Sequence, residues 1–108
     1  MSRPNETVSP LPKRLKAARK AAGLSQRKLG ILADIDEFCA GPRVNQYEKG
    51  THTPSYYLVK VFAEKLEVPT HYFYIEDDQL AEVALRMNTL SEEIINKILN
   101  NLESEDSR

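Results

Sequence analysis

Two short helical segments near the start of the chain are joined by only a few residues, and this limits how the chain can fold. The segment "LPKRLKAARKAAG" places apolar residues at helical spacing and ends at Gly23, a residue type that favours the left-handed conformation at helix ends. Ser25 then offers an N-cap to "QRKLGILAD". Helices at about 12–22 and 26–33 with so short a connection cannot lie side by side over a long contact.

A glycine inside the second of these segments predicts a close helix contact. Gly30 costs about 1 kcal/mol relative to alanine in a helix interior. A small residue is worth that cost where another helix must pass closely.

The next segment, "DEFCAGPRVNQYEKG", contains a glycine–proline pair that predicts the start of a third helix. The residue before a proline is pushed out of the α region, and proline suits the first position of a helix. We therefore expect helix three to run from about 42 to 49 and to stop at Gly50. The preceding "EFCA" is expected to form a longer turn, with Phe38 packed against the domain as an anchor. The competing interpretation is one long, kinked helix over 36–49.

The remaining segments predict further helices, and no stretch alternates with period two for long enough to indicate a strand. Thr53 is expected to cap helix four, and "VPTHYFY" predicts a further turn of helix at about 69–74. We predict an all-α fold in which five short helices build one domain with one modest core. The expected divisions are a flexible arm at 1–10, a helical domain at 11–75, a helical tail at 76–103 and a frayed acidic end at 104–108.

The predicted tail is rich in apolar residues for the last part of a small chain. Its two helical segments, "DDQLAEVALRM" and "SEEIINKILNNL", each place apolar residues on one face. Such a face either folds back on the core or packs against a second copy of the chain. We expect the second arrangement, a homodimer whose interface contains Leu80, Val83, Met87, Ile94, Ile98 and Leu102.

Several classes of protein are disfavoured by the composition. No run of 18 apolar residues is present, so no membrane span is expected, and the first residues lack the apolar stretch of a secretory signal. Cys39 is the sole cysteine, which excludes an internal disulfide and favours the reducing cytoplasm. His52 and His71 lie near predicted turns without a third group at metal-ligand spacing. We expect no metal, no cofactor and no enzymatic activity, since no nucleophile or acid–base arrangement is visible.

Charge is distributed unevenly along the chain, although the net charge is only −1. Residues 1–53 carry ten Lys/Arg and five Asp/Glu, a net +5, while residues 54–108 carry five and eleven, a net −6. This asymmetry fits a basic working face and an acidic remainder, or solvated faces that differ by chance.

The order of the motifs resembles the phage-repressor-like family (Cro/cI type, also called XRE) of helix-turn-helix proteins. The matching stretches, within about residues 12–74, are "AARKAAGLSQRKLGILADI", "RVNQYEKG" and "TPSYYLVKVFAEKLEVP". The resemblance implies a repressor-like fold that binds DNA through helix three. The chain departs from the family pattern in two ways: it has about four extra residues before helix three, and Gly41 and Pro42 occupy positions where members often place polar base-reading side chains.

The expected contacts with DNA divide into phosphate and base contacts. The resemblance assigns Gln26 to a phosphate, and the start of helix two and the loop after helix three extend this set to Ser25, Gln26, Arg27, Lys49, Thr51 and Thr53. Base readout shifts past Gly41 and Pro42, to Arg43 and Gln46 with Asn45 as a further candidate. Glu48 is expected to face inward and to pair with a basic residue of helix one or two. The surrounding basic residues, most of them expected to be solvated, are Arg14, Lys16, Arg19, Lys20, Arg27 and Lys28.

These expectations combine into a cytoplasmic, sequence-specific DNA-binding regulator, interpreted as a dimeric repressor that binds a double-stranded operator. One alternative is an antitoxin-like autoregulator whose tail holds a protein partner. Another is a protein-interaction module that does not bind DNA, which the overall acidity and Gly41-Pro42 would favour.

Overall fold

The computed structural model describes residues 8–106, and their regular structure is entirely helical. The all-α prediction is therefore confirmed for this part of the chain, while residues 1–7 of the expected arm and 107–108 of the expected frayed end lie outside it. Within 11–75 there are four α-helices, and the short fifth helix expected at about 69–74 is a 3-10 helix. The elements are α1 (Leu11–Ala21), α2 (Gln26–Leu32), α3 (Glu37–Lys49), α4 (Tyr56–Leu66), the 3-10 helix (Thr70–Tyr74), α5 (Asp78–Met87) and α6 (Glu92–Asp106).

Hydroxyl and carboxylate caps fix the starts of most of these helices. Ser25 Oγ accepts a hydrogen bond from the backbone N–H of Lys28 at 3.0 Å, as its position predicted. Thr53 was predicted to cap helix four, and this is wrong by two residues. Ser55 caps α4 instead, because its Oγ accepts from the N–H of Leu58 at 3.1 Å.

Helix α3 is continuous from Glu37 and contains Pro42, so the predicted start at residue 42 is wrong. The stretch "EFCA" is helix and not a longer turn, and the long-helix interpretation is the correct one. Asp36 caps this helix, with its Oδ2 accepting from the N–H of Phe38 at 3.1 Å. Four extra residues amount to about one turn at 3.6 residues per turn, so they lengthen the helix while later side chains keep nearly the same faces. Phe38 is 85% exposed and is not an anchor.

Pro42 is tolerated inside α3 because of where the affected carbonyl lies. A proline at this position removes the N–H that would reach the carbonyl of Phe38, four residues earlier. Phe38 belongs to the exposed first turn of the helix, where water can bond to its carbonyl. The residues that hold α3 to the domain, Ala40, Val44 and Tyr47, are all buried.

One core lies beneath α1, α2, α3 and α4 and is closed by the 3-10 helix. Its most deeply buried large side chains are Leu15, Leu29, Val44, Val59, Phe62 and Phe73. The predicted glycine contact is confirmed, because a Cβ at Gly30 would lie 2.6 Å from the Cβ of Ala40. Helix α2 can therefore approach α3 closely only with glycine at this position.

Arg14 holds the start of the tail against α1 and is not a solvated surface charge. Its guanidinium donates to the backbone oxygens of Ile75 and Glu76 at 2.8–3.0 Å and forms an ion pair with Asp78 at 2.9 Å. The side chain is buried beside the ring of Tyr72. Four of the six basic residues are exposed, in line with the expectation that most are solvated, while Arg14, and Arg19 as described below, are buried.

The tail docks on the domain through small residues of α5, while two residues predicted for the dimer interface stay exposed. Ala81 and Ala84 are buried against the domain, whereas Leu80 and Val83 are 59% and 47% exposed. Helix α6 continues to Asp106, past the predicted limit of the helical tail at 103, and no residue described along it is buried. None of the helices in residues 8–106 is long and apolar enough to cross a membrane.

Candidate nucleic-acid interface

Helices α2 and α3 form the structural unit that would contact DNA, and α3 presents a long outer face. Its inner face is anchored by Ala40, Val44 and Tyr47, which leaves Arg43 and Lys49 exposed and Gln46 half-buried. Arg43 and Gln46 are three residues apart, so their side chains are neighbours on the helix surface. The structure thus brings together the two residues predicted to read bases.

A buried ion pair joins the end of α3 to α1. Arg19 Nε donates to Glu48 Oε2 at 2.6 Å, and Arg19 Nη2 donates to Glu48 Oε1 at 3.0 Å. Arg19 Nη1 also donates to the carbonyl of Leu24 at 2.9 Å, and the Glu48 side chain is only 3% exposed. The hydrogen bonds from Arg19 to Glu48 raise the pKa of Arg19. The prediction of an inward Glu48 paired with a basic residue is confirmed, and the pairing removes a negative charge that would otherwise repel DNA.

Gln26 is drawn into the same network and orients Asn45. Its Nε2 donates to Glu48 Oε1 at 3.0 Å and to Asn45 Oδ1 at 3.2 Å. The Glu48 carboxylate can only accept here, so the Gln26 atom that faces it must be the amide nitrogen. The Asn45 atom that faces this nitrogen must then be the carbonyl oxygen. The remaining group of Asn45 is its NH₂, a donor with no partner in the described part of the chain.

These contacts change the chemistry available to Gln26. Both hydrogens of its side-chain amide are engaged, and the remaining oxygen is an acceptor that a phosphate would not bind. A phosphate contact would therefore have to use the backbone N–H of Gln26, beside the Ser25 cap. Through its side chain, Gln26 acts as a positioning residue for Asn45.

The other predicted phosphate residues lie on the surface around α3. Arg27 forms an exposed ion pair with Glu37 at 3.3 Å, a contact that contributes little and can be exchanged for a phosphate. Lys49, the last residue of α3, and Thr51 and Thr53 in the loop that follows are exposed. Thr51 Oγ1 donates to the carbonyl of Gln46 at 3.2 Å, which fixes the first residue of this loop.

Sequence reasoning missed two features of this surface. It left open which basic residue pairs with Glu48, and that residue is Arg19, which also donates to the Leu24 carbonyl. It also treated Phe38 as buried, although Phe38 and Cys39 are exposed in the first turn of α3. The available signal was Asp36, a good N-cap one turn before the glycine–proline pair. Residues 8–106 contain no group of three or more His, Cys, Asp or Glu that could hold a metal ion.

The structures similar to this chain include two that are informative. The crystal structure of the transcriptional regulator BswR is 41% identical, with a TM-score of 0.82 over 87% of this chain and 93% of that chain. A structure of a SinR protein/SinI protein complex is 20% identical, with a TM-score of 0.63 over 91% of this chain and 99% of that chain, and it supports the fold alone. No protein-family model and no curated protein sequence matches the chain.

Proposed function

Because the chain belongs to a phage-repressor-like helix-turn-helix family of transcriptional regulators, we propose that it is a sequence-specific DNA-binding regulator whose α3 reads the major groove. The observation that carries this proposal is the outer face of α3, which combines Arg43, Gln46 and the free NH₂ of Asn45. These groups are donors suited to the acceptor atoms of guanine and adenine in the major groove.

Phosphate contacts would flank the reading helix on both sides. The start of α2 offers the backbone at Ser25 and Gln26 together with the Arg27 guanidinium. The end of α3 offers Lys49, and the loop after it offers the hydroxyls of Thr51 and Thr53. Contacts on two sides of one helix would fix its orientation in the groove, which base contacts alone do not do.

We further propose that the chain acts as a homodimer formed through its tail. The exposed apolar side chains of α5 and α6 include Leu80, Val83, Ile94, Leu99 and Leu102, and Met87 and Ile98 are half-buried beside them. Apolar faces of this extent are typical of interfaces. A two-fold dimer would place two α3 helices roughly 34 Å apart, one turn of DNA, and would imply a near-palindromic operator. Binding of the dimer to this operator would repress transcription of the adjacent gene.

The DNA contacts can be tested by selecting bound fragments from random DNA with the purified protein and then measuring affinity between about 50 and 200 mM salt. Lys49→Ala should lower the slope of log K against log salt by about 0.9 for each protomer that contacts DNA, without changing the preferred sequence. Lys65→Ala removes an exposed lysine from the far end of α4 and is the matched control, with no expected change in slope. A chain that selects no sequence would refute the proposal.

The dimer can be tested by placing a charge on either face of α6. Leu102→Glu would introduce a carboxylate into the apolar face and should shift sedimentation towards the monomer and weaken operator binding. Asn100→Glu adds the same charge about half a turn away from that face and should change neither. Deleting residues 77–108 is a poorer test, because it removes Ala81 and the Asp78 ion pair from the domain.

The same apolar tail leaves one alternative. If Leu102→Glu leaves the chain's own association state unchanged but abolishes co-purification of a second protein, the tail binds a different partner, as in an antitoxin-like autoregulator. DNA binding with the Lys49 salt dependence excludes an interaction module that has lost DNA binding.

A further inference from the structure

The corrected start of α3 changes which residues come first in the reading helix. In helix-turn-helix proteins the N-terminal residues of the recognition helix contact base edges. Here those residues belong to the turn that contains Phe38 and Cys39, not to the turn that begins at Arg43. The distance along the axis from Phe38 to Arg43 is about 7.5 Å at 1.5 Å per residue, which is comparable with the depth of the major groove, about 8.5 Å.

Phe38 lies on the same side of α3 as Gln46 and Lys49. At 100° per residue, Pro42, Gln46 and Lys49 fall within about 80° of Phe38 around the helix axis. Phe38, Pro42 and Lys49 are exposed, and the opposite side carries the buried anchors. An α3 that places Gln46 against the bases therefore directs Phe38 into the same groove.

We propose that Phe38, supported by Pro42 one turn later, reads the C5-methyl group of a thymine in the major groove. This inference rests on the proposed function and adds an apolar base contact to it. The thymine methyl is the apolar group that the major groove displays, and apolar side chains such as phenylalanine recognise it by contact. A phenylalanine that is 85% exposed in the free protein would gain burial only on binding.

The charges around Phe38 favour DNA as the occupant of this surface. The cationic residue Lys49 lies on the same face, about 20° from Phe38 around the helix axis, which suits a polyanion. The two nearby carboxylates are already engaged. Glu37 pairs with Arg27 on the side of α3 that faces α2, and Asp36 accepts the N–H of Phe38.

The test combines removal of the ring with removal of the methyl. Wild-type protein first selects its operator from random DNA, and each thymine of one half-site is then replaced in turn by deoxyuridine, which lacks only the methyl. Wild-type affinity should fall about fourfold at one thymine, since a buried methyl group is worth about 0.8 kcal/mol. Phe38→Ala should bind the intact operator at least about fourfold more weakly and lose no further affinity at that thymine.

Two further observations keep the test decisive. Phe38→Leu retains an apolar side chain and should keep the deoxyuridine sensitivity, whereas a general effect on folding would not distinguish leucine from alanine in this way. If Phe38→Ala leaves the affinity and the deoxyuridine pattern of the wild type intact, or changes only the association state, the inference is wrong while the proposed function stands. If the wild type selects no operator, the proposed function fails first and this inference falls with it.

Discussion

The contact between α2 and α3 at Gly30 can be tested by adding a single methyl group. A Cβ at this position would lie 2.6 Å from Ala40 Cβ and 2.9 Å from both the Cα and the carbonyl oxygen of Ala40. Two of these three atoms are backbone, and Ala40 has no flexible side chain that could move aside. Gly30→Ala must therefore push α3 away from α2.

The expected magnitude follows from two opposing effects. Overpacking a core costs about 1–3 kcal/mol, and a clash with backbone atoms belongs to the upper part of that range. Alanine is better than glycine in a helix interior by about 1 kcal/mol, which offsets part of the cost. We expect Gly30→Ala to lower the free energy of unfolding by about 2 kcal/mol. For a domain of this size that is a fall in Tm of about 8 °C.

Gly41→Ala provides a matched control, because it is the same exchange in the helix on the other side of the contact. A Cβ at Gly41 would meet Arg27 Cβ at 3.6 Å, an ordinary contact, and the gain in helix propensity is opposed by crowding of the alanine Cβ against Pro42, so stability should change by less than about 1 kcal/mol. Both variants can be unfolded by heat and by urea at one protein concentration, with helical circular dichroism as the signal. If Gly30→Ala destabilises the protein no more than Gly41→Ala does, the close approach at Gly30 does not limit the packing of α3.

Three further changes have defined outcomes. Pro42→Ala should restore a donor for the Phe38 carbonyl and raise the free energy of unfolding by about 1–3 kcal/mol, so an unchanged urea midpoint would contradict the continuous α3. Glu67→Gly should raise the free energy of unfolding by about 0.5–1 kcal/mol, because Glu67 ends α4 in the left-handed region at φ 57°. A lower Tm would show instead that the Glu67 side chain stabilises the turn. The pKa of Asp78 lies below its ordinary 3.8 because Lys13 and Arg14 hydrogen-bond to its carboxylate, so it stabilises the fold above about pH 4 and less as pH falls further. Asp78→Asn should therefore make Tm fall less steeply between about pH 4 and pH 2. If Tm depends on pH in the same way in both proteins, this ion pair does not contribute to the loss of stability in acid.

Local signals were sufficient where one residue decides one helix end. Ser25 as the cap of α2 and Gly50 as the end of α3 could be predicted, since capping depends on a side chain and a few neighbouring N–H groups. The inward position of Glu48 and the close helix contact at Gly30 could be predicted as well. The first followed from the family resemblance and the helix geometry, and the second from the cost of glycine in a helix.

Only the tertiary structure decided how α3 begins. The glycine–proline pair is a local signal for a break, and an interior proline costs about 3 kcal/mol. Burial of Val44 and Tyr47 on one side of the pair and of Ala40 on the other holds both parts of the helix against the domain. Burying a large apolar side chain contributes about 1.5–3 kcal/mol each time, so the packing outweighs the local preference.

The roles of the charged residues in α1 and the facing of α5 also depended on the tertiary structure. In the sequence, Arg14 and Arg19 cannot be distinguished from the solvated lysines around them, because their partners lie 61 and 29 residues away. The apolar residues of α5 could be recognised in the sequence. The sequence did not show that the small residue Ala81 packs against the domain while Leu80 stays exposed. A sequence determines which faces are apolar, whereas the shape of the surface opposite determines which of them is buried.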